Sequence, residues 1–174
     1  MNNLLAGLLK DPSFSRYRES LLEHIFISDI VQAAWLKGKL IVVSKAEIDA
    51  WGYDIVLSCN GITRHIQMKS QTRSKSVNVN GKLAQTPGSC VVKAIPSVEN
   101  GKQRLKLHYH LFGFGPFTPL DFSGFKNAKL TRHVKGENGQ ALRKERKGHY
   151  KIPVSSFGPP LNAEQLIEEL FPNT

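Results

Sequence analysis

Two runs of alternating apolar residues meet at Asn60-Gly61, and this arrangement constrains the fold more than any other feature of the sequence. The runs are residues 54–59 and 62–69. An Asn-Gly pair between such runs is the strongest short-range signal for a β-hairpin, because both residues tolerate the positive φ angles of a tight turn. We therefore predict two antiparallel strands joined by this turn.

A helix and a first strand are predicted ahead of the hairpin. Residues 15–37 carry one apolar stripe at spacings of four, four and three residues, formed by Leu22, Phe26, Ile30 and Ala33. Such spacing is typical of a helix with one buried face. The apolar run at residues 40–43 follows at once and predicts a short buried strand.

After the hairpin, the sequence predicts further strands and a final helix. Residues 90–95 are apolar apart from one lysine, and residues 105–112 alternate, so each segment predicts a strand. The polar segment 71–88 contains Asn-Gly and Pro-Gly breakers and predicts a loop with room for a short strand or helix. Residues 162–171 predict a short amphipathic helix. This order of elements indicates an α/β domain.

The chain is strongly basic. Its 24 lysines and arginines exceed its 14 acidic residues and give a net charge of +10. An excess of this size favours polyanionic partners, because binding to them releases condensed counterions. Nucleic acid is therefore the partner class that the composition favours, while solubility alone is the alternative explanation.

Length and composition argue against other classes of protein. A chain of 174 residues, of which 40% are hydrophobic, is long enough for one domain with its own core. No apolar run reaches the ~20 residues that cross a bilayer, and the first residues lack the basic flank of a secretory signal. Cys59 and Cys90 are too far apart for a CxxC pair, so neither a disulfide framework nor a zinc knuckle is predicted. We expect a cytoplasmic protein that does not contact membranes.

Polar side chains converge on one face of the predicted hairpin. Gln67 and Lys69 are two residues apart, so both point to the same face of their strand. Ile66 and Met68 point to the opposite face and predict the core side. Asp54 stands at the head of the neighbouring strand. If this face opens into a cleft, a carboxylate, an amide oxygen and an ammonium group meet there.

This combination suits a hard divalent cation. Mg²⁺ prefers oxygen ligands, keeps several waters, and typically binds one or two carboxylates together with substrate phosphate. A neighbouring lysine can orient a water molecule and stabilise charge that develops on a phosphate. Glu23, on the inner side of the predicted first helix, reaches the same cleft if that helix packs across the sheet. The cofactor that we predict is Mg²⁺ or Mn²⁺.

The same residues resemble the PD-(D/E)XK nuclease superfamily, which includes restriction endonucleases, Holliday-junction resolvases and repair nucleases. The resemblance lies in Glu23 within ESLLEHIFISDI, Asp54 within WGYDIVL, and Gln67 and Lys69 within HIQMKS. It covers about residues 15–112 in the order of elements. The segments GYDIVL and RHIQMKS are also similar to small bacterial members of this superfamily that have no assigned substrate.

The resemblance implies a restriction endonuclease-like core, with a central mixed sheet of four to five strands flanked by helices. It also implies metal-dependent hydrolysis of a phosphodiester, for which we expect DNA rather than RNA as the substrate. In that family pattern Glu23, Asp54 and Gln67 bind the metal, and Lys69 positions the attacking water.

One domain is predicted for the whole chain, residues 1–174. The nuclease-like core is expected at about residues 15–112, a basic and aromatic arm at 113–157, and the closing helix at 162–171. The resemblance does not account for the arm.

Two positions depart from the family pattern. Gln67 stands where the third strand normally has an acid; its amide oxygen can bind a metal but brings no charge, and divalent affinity follows ligand charge. Tyr53 precedes Asp54 where the pattern has proline. The rival hypothesis is therefore a nuclease fold that has lost activity and binds nucleic acid or a protein without cutting.

Each candidate residue also has a purely structural alternative. Glu23 can be a solvated helix residue, and Asp54 can cap the turn at Gly52. Gln67 and Lys69 can lie on an exposed sheet face. Five nearby side chains are weaker candidates. A loop role suits Glu47 and Asp49 better than a second carboxylate site. Packed or solvated roles suit His65 better than phosphate contact, and His108 and His110 better than zinc binding.

The arm becomes strongly basic between residues 126 and 151, where nine lysines and arginines stand against two glutamates. We predict a nucleic-acid-binding surface formed by Arg132, Lys135, Arg143, Lys144, Arg146 and Lys147. Each phosphate contact steepens the salt dependence of binding by close to one unit of slope on a log–log plot. The alternative is a solvated hairpin around residues 137–139.

Aromatic residues cluster ahead of this basic segment. They can stack on bases, but they suit a core or a dimer contact better: Phe112, Phe114, Phe117, Phe122 and Phe125. A partner-binding module that uses them as a dimer patch is the third hypothesis. A homodimer would also suit double-strand cleavage, and two-fold dimers are the commonest assembly.

Overall fold

A computed structural model describes residues 11–48, 50–70, 74–98, 104–129, 134–135, 141–142 and 144–172. These residues form two helices, α1 (Ser15–Leu36) and α2 (Ala163–Leu170), and the strands β1 (Val42–Lys45), β2 (Ile55–Cys59), β3 (Ile62–Lys69), β4 (Ser76–Asn80), β5 (Ser89–Val98), β6 (Leu105–Phe112), β7 (Lys126–Lys129), β8 (Val134–Lys135), β9 (Ala141–Leu142) and β10 (Glu145–Pro153).

The central sheet has five strands in the order β1-β2-β3-β5-β6. Its neighbours are antiparallel except for β3 and β5, which run parallel, so the sheet is mixed. The predicted α/β class with a mixed sheet of four to five strands is confirmed. The predicted hairpin is also confirmed, since β2 and β3 pair across Asn60 and Gly61, whose φ angles of 46° and 82° are positive as the turn requires.

Helix α1 covers one face of this sheet. Its predicted apolar stripe is buried against sheet residues such as Ile55, Ile66 and Val92, which confirms the helix and its inner side. Helix α2 packs beside it and begins with a capping box, in which Asn162 and Gln165 exchange side-chain to backbone hydrogen bonds of 2.9 Å. Neither described helix is long and apolar enough to cross a membrane.

The first strand differs from its prediction. The apolar run at residues 40–43 predicts a buried strand, but β1 begins at Val42 and forms the edge of the sheet. Leu40 is 72% exposed and Val42 is 65% exposed. The prediction of burial was wrong because an apolar run does not reveal strand order, and an edge strand has a neighbour on one side only.

A second sheet covers the other face of the central sheet. It joins β4, from the predicted loop, to two strands of the basic arm in the order β4-β10-β7. The expectation of a short strand or helix within residues 71–88 is confirmed by β4 and by a 3₁₀ turn at Gly81–Gln85. A second apolar core lies between the sheets and contains Val77, Val79, Leu83, Val91, Leu120, Phe122, Ile152 and Phe157.

Candidate functional site

A cavity of about 500 Å³ lies at the end of the central sheet where β1 and β3 finish and β2 begins. Its wall includes three of the four residues predicted for catalysis: Glu23 from α1, Asp54 from the head of β2, and Lys69 from the end of β3. These elements meet here because the β2–β3 hairpin puts its open end beside the first half of α1. Glu19 and Lys45, which were not predicted, also line the wall.

Asp54 is held in place by the neighbouring strand. Its backbone N–H donates to the Ile66 carbonyl at 2.8 Å, and its Oδ2 accepts a 2.8 Å hydrogen bond from the Met68 backbone N–H. A carboxylate has about four lone-pair sites, so one backbone bond fixes the group without exhausting its capacity as a ligand. The Asp54 carboxylate is therefore oriented by Met68, the residue that precedes Lys69 in β3.

Glu23 is paired with a lysine on the same wall. Its Oε1 lies 2.5 Å from Lys45 Nζ, at the end of β1. This oxygen is shielded from solvent, and no described donor forms a hydrogen bond of normal geometry with it. The Glu23 side chain is largely covered while Lys45 is half exposed. Glu23 therefore faces the cavity rather than a solvated side of the helix.

Gln67 lies on the same face of β3 as Lys69, but it is not among the described residues that line the cavity. It is 5% exposed, and its Oε1 accepts a 3.2 Å hydrogen bond from the Asn80 backbone N–H. The amide thus joins β3 of the central sheet to β4 of the second sheet. The physical reason is that β4 covers this position, which the spacing within β3 does not reveal. The predicted role of Gln67 as a metal ligand stays a prediction.

A buried lysine stands next to Lys69 on the adjacent parallel strand. Lys93 is directly opposite Lys69 in the register of β3 and β5 and is only 3% exposed. Burial lowers the pKa of Lys93, because the charged form loses hydration. The sequence analysis missed Lys93, although a lysine inside the apolar run 90–95 was a signal that could have identified it.

The histidines have packing or structural contacts. The ring of His65 lies 4.8 Å from the ring of Tyr53, and burial lowers the pKa of His65. His110 Nδ1 donates to the Gly158 carbonyl at 2.9 Å. Within the described ranges, no group of three or more His, Cys, Asp or Glu side chains could hold a metal ion. Asp49 lies outside the described residues.

The predicted nucleic-acid-binding residues are only partly described. Lys144, Arg146 and Lys147 are exposed around the start of β10. Lys135 belongs to β8, which pairs antiparallel with β9, and only its backbone is described. Arg132 and Arg143 lie outside the described residues, as do residues 137–139.

The aromatic residues of the arm divide into two groups. In the second core, the ring of Phe112 contacts the rings of Phe122 and Phe125 at centroid distances of 6.3 and 5.8 Å. The core interpretation is confirmed for these three. Phe114 and Phe117 are exposed instead.

The cavity wall carries carboxylates, the side-chain type that a magnesium-like ion uses as ligands. Such an ion is commonly held by one or two carboxylates and completes its shell with water and substrate phosphate. Glu23 and Asp54 supply two carboxylates on one wall, and Lys45 and Lys69 supply positive charge beside them. These two carboxylates and two ammonium groups therefore line the same cavity.

Comparisons of the sequence with known protein families and curated proteins found no match. No protein-family model matches the chain, and no curated protein matches it at a significant level.

Proposed function

We propose that this protein is a metal-dependent nuclease that hydrolyses phosphodiester bonds of DNA, with a core of the restriction endonuclease-like type. The observation that carries the proposal is the convergence of Glu23, Asp54 and Lys69 on one cavity wall from three separate elements. If these residues had only the structural roles of a solvated glutamate, a turn cap and an exposed strand lysine, we would not expect them to line one cavity. The positive net charge of the chain supports a polyanionic substrate.

In this proposal Glu23 and Asp54 bind Mg²⁺ or Mn²⁺, which supplies Lewis acidity toward the phosphate and a more acidic bound water. The Met68 backbone N–H orients the Asp54 carboxylate, so little reorganisation is needed on binding. Lys69 positions the attacking water and helps to remove its proton. Lys45, which pairs with Glu23, would supply positive charge for the phosphate oxygens beside the metal site.

The role of the basic arm is to hold the substrate. Lys144, Arg146 and Lys147 are exposed and add positive charge to the second sheet, which lies against the central sheet. Contacts with phosphates orient the duplex without reading its sequence. We infer that the arm contributes affinity for DNA, whereas the residues of the cavity carry out the hydrolysis.

The test is cleavage of plasmid and linear duplex DNA in the presence of Mg²⁺, with Lys69→Ala as the variant and Lys106→Ala as a matched exposed-lysine control. Removal of a group that assists proton transfer costs about 10²- to 10⁴-fold in rate. We expect such a loss for Lys69→Ala and none for Lys106→Ala, with both variants unfolding at the wild-type denaturant midpoint. Equal cleavage by wild type and Lys69→Ala would overturn the proposal.

The second candidate function is a nuclease fold that binds DNA without cutting it. Two observations favour it: Glu23 already has an ionic partner in Lys45, and the Gln67 oxygen is used by Asn80. Titration with Mn²⁺ separates the two candidates. A working site binds Mn²⁺ and loses it in Asp54→Asn, whereas the non-cutting protein binds DNA equally well with and without the ion.

A further inference from the structure

A row of basic residues crosses the outer face of the second sheet. Along β10, Tyr150 and Ile152 pair with Val79 and Val77 of β4 and face the second core. Lys151 lies between them and therefore points to the other side. It is exposed, as is Lys126 of β7.

Lys151 and Lys126 are direct cross-strand partners in the register of β10 and β7. Like charges at such positions repel each other and destabilise the pair of strands. Within the described ranges, ion pairs are formed by Lys37 and Lys45, and none is formed by Lys126 or Lys151. The repulsion is thus not relieved by a carboxylate of the described chain, and an anion bound from outside would relieve it.

A groove brings a third lysine to this pair. It has a volume of about 370 Å³ and is lined by Lys75, Ser76, Phe125, Lys126, Lys151 and Pro153. Lys75 is held at the groove because its carbonyl oxygen accepts a 2.9 Å hydrogen bond from the Val154 backbone N–H. Three ammonium groups around one groove create a concentrated positive potential that suits a phosphate group.

We propose that Lys75, Lys126 and Lys151 form a phosphate-contact site for the backbone of duplex DNA. This inference rests on the proposed function, because the duplex held here is the one whose phosphodiester enters the cavity. It adds a contact surface that is separate from Lys144, Arg146 and Lys147. Those residues lie at the other end of β10, so together the two groups extend positive charge along the strand.

The lining of the groove favours a duplex over a single strand. Proteins that bind single strands use open aromatic rings on which bases stack. Phe125, the aromatic side chain of this lining, is partly buried and directs its ring against Phe112 at a centroid distance of 5.8 Å. The groove therefore offers lysines to phosphates and no open ring to a base.

The groove is close enough to the cavity for one duplex to reach both. Ser70 lies on the cavity wall, and Lys75 follows five residues later. At no more than about 3.6 Å per residue, their Cα atoms are at most about 18 Å apart. This maximum Cα–Cα distance is about half of the ~34 Å length of one duplex turn, so a single turn is long enough to span it.

The test is the salt dependence of binding to a fluorescent 20-base-pair duplex in Ca²⁺ without Mg²⁺, with the same assay on one of its single strands. The variant is Lys126→Gln with Lys151→Gln, and the control is Arg104→Gln with Lys106→Gln, which removes the same charge from β6 and the residue before it. Each lost duplex phosphate contact lowers the log–log slope by about 0.9. We expect the slope to fall by about 2 units in the variant only, with at least about a tenfold loss of duplex affinity at 0.1 M salt.

Adding Lys75→Gln to the variant is expected to lower the slope by about one further unit. A slope that stays at the wild-type value, a change equal to that of the control, or a loss confined to the single strand would each overturn the inference. The outcome is separable from that of the proposed function. If wild type fails to cut DNA but the variant loses slope, only the nuclease proposal fails; if wild type cuts and the slope is unchanged, only the groove proposal fails.

Discussion

Lys45 Nζ lies 2.5 Å from Glu23 Oε1 and neutralises a carboxylate on the wall of the candidate site. The two residues come from different elements, the end of the edge strand β1 and the third turn of α1. A divalent cation that binds Glu23 has to share the carboxylate with this lysine or displace it. In the proposed function, this ion pair therefore competes with the metal for Glu23.

Lys45→Met is expected to tighten Mn²⁺ binding in isothermal titration without DNA. The gain should reach about fivefold at most, because a partly exposed ion pair contributes no more than about 1 kcal/mol. Lys106→Met serves as the control and should leave the affinity unchanged. Weaker Mn²⁺ binding in Lys45→Met would contradict this competition for Glu23.

Gln67→Met is expected to lower the free energy of unfolding by about 1 to 3 kcal/mol, because the Asn80 backbone N–H loses its acceptor in a partly buried place. Gln67→Glu keeps an acceptor at the same position and serves as the comparison. Both are measured by urea denaturation, with Mn²⁺ titration on the folded proteins. We expect the Mn²⁺ affinity of Gln67→Met to equal that of wild type. A loss of Mn²⁺ binding without a loss of stability would instead assign Gln67 to the metal.

Tyr109→Phe is expected to destabilise the protein in a manner that depends on pH. Tyr109 is fully buried and donates a 2.7 Å hydrogen bond to Asp29 Oδ2; burial first, and this bond second, raise its pKa above the ordinary value of 10.0. The unfolded tyrosine ionises near pH 10 while the folded one stays neutral. The stabilisation is therefore complete below about pH 10 and is lost as the pH rises above it.

Urea denaturation at pH 7, 9 and 11 measures this effect. At pH 7 wild type should exceed Tyr109→Phe by about 1 to 2 kcal/mol, and the difference should shrink at pH 11. Tyr17→Phe, at an exposed position, is the control and should change little. A difference that is constant from pH 7 to pH 11 would contradict the burial of the phenol.

Gly88→Ala is expected to be far more damaging than Gly61→Ala. Both glycines have positive φ angles, 73° and 82°, so each alanine incurs backbone strain of about 1 to 2 kcal/mol. At Gly88 a Cβ atom would also lie 2.5 Å from the Thr63 oxygen and 2.6 Å from the Pro116 oxygen, whereas Gly61 has no heavy atom within 4 Å of that position. We expect a loss of at least about 3 kcal/mol for Gly88→Ala, measured by chemical denaturation. Equal losses in the two variants would contradict this close backbone approach.

Several elements of this protein could be predicted from short stretches of sequence. The stripe that contains Leu22 and Phe26 indicated α1, and Asn60-Gly61 indicated the hairpin. The spacing of Gln67 and Lys69 put both on one face of β3, and the position of Asp54 put it at the head of β2, next to the end of β3. These predictions succeeded because helix periodicity, strand alternation and turn chemistry depend on residues that are at most a few positions apart.

Long-range pairing decided the remaining features. The apolar run at residues 40–43 became an exposed edge because strand order, not hydrophobicity, determines which strands have two neighbours. Gln67 turned to Asn80, and Lys151 came to lie opposite Lys126, because β4 and two strands of the basic arm form a second sheet over the first. Local sequence specifies which face of a strand is apolar, but only the packed layers determine what covers the polar face. For that reason the sequence by itself identified the candidate residues, and the tertiary structure decided which of them share a cavity.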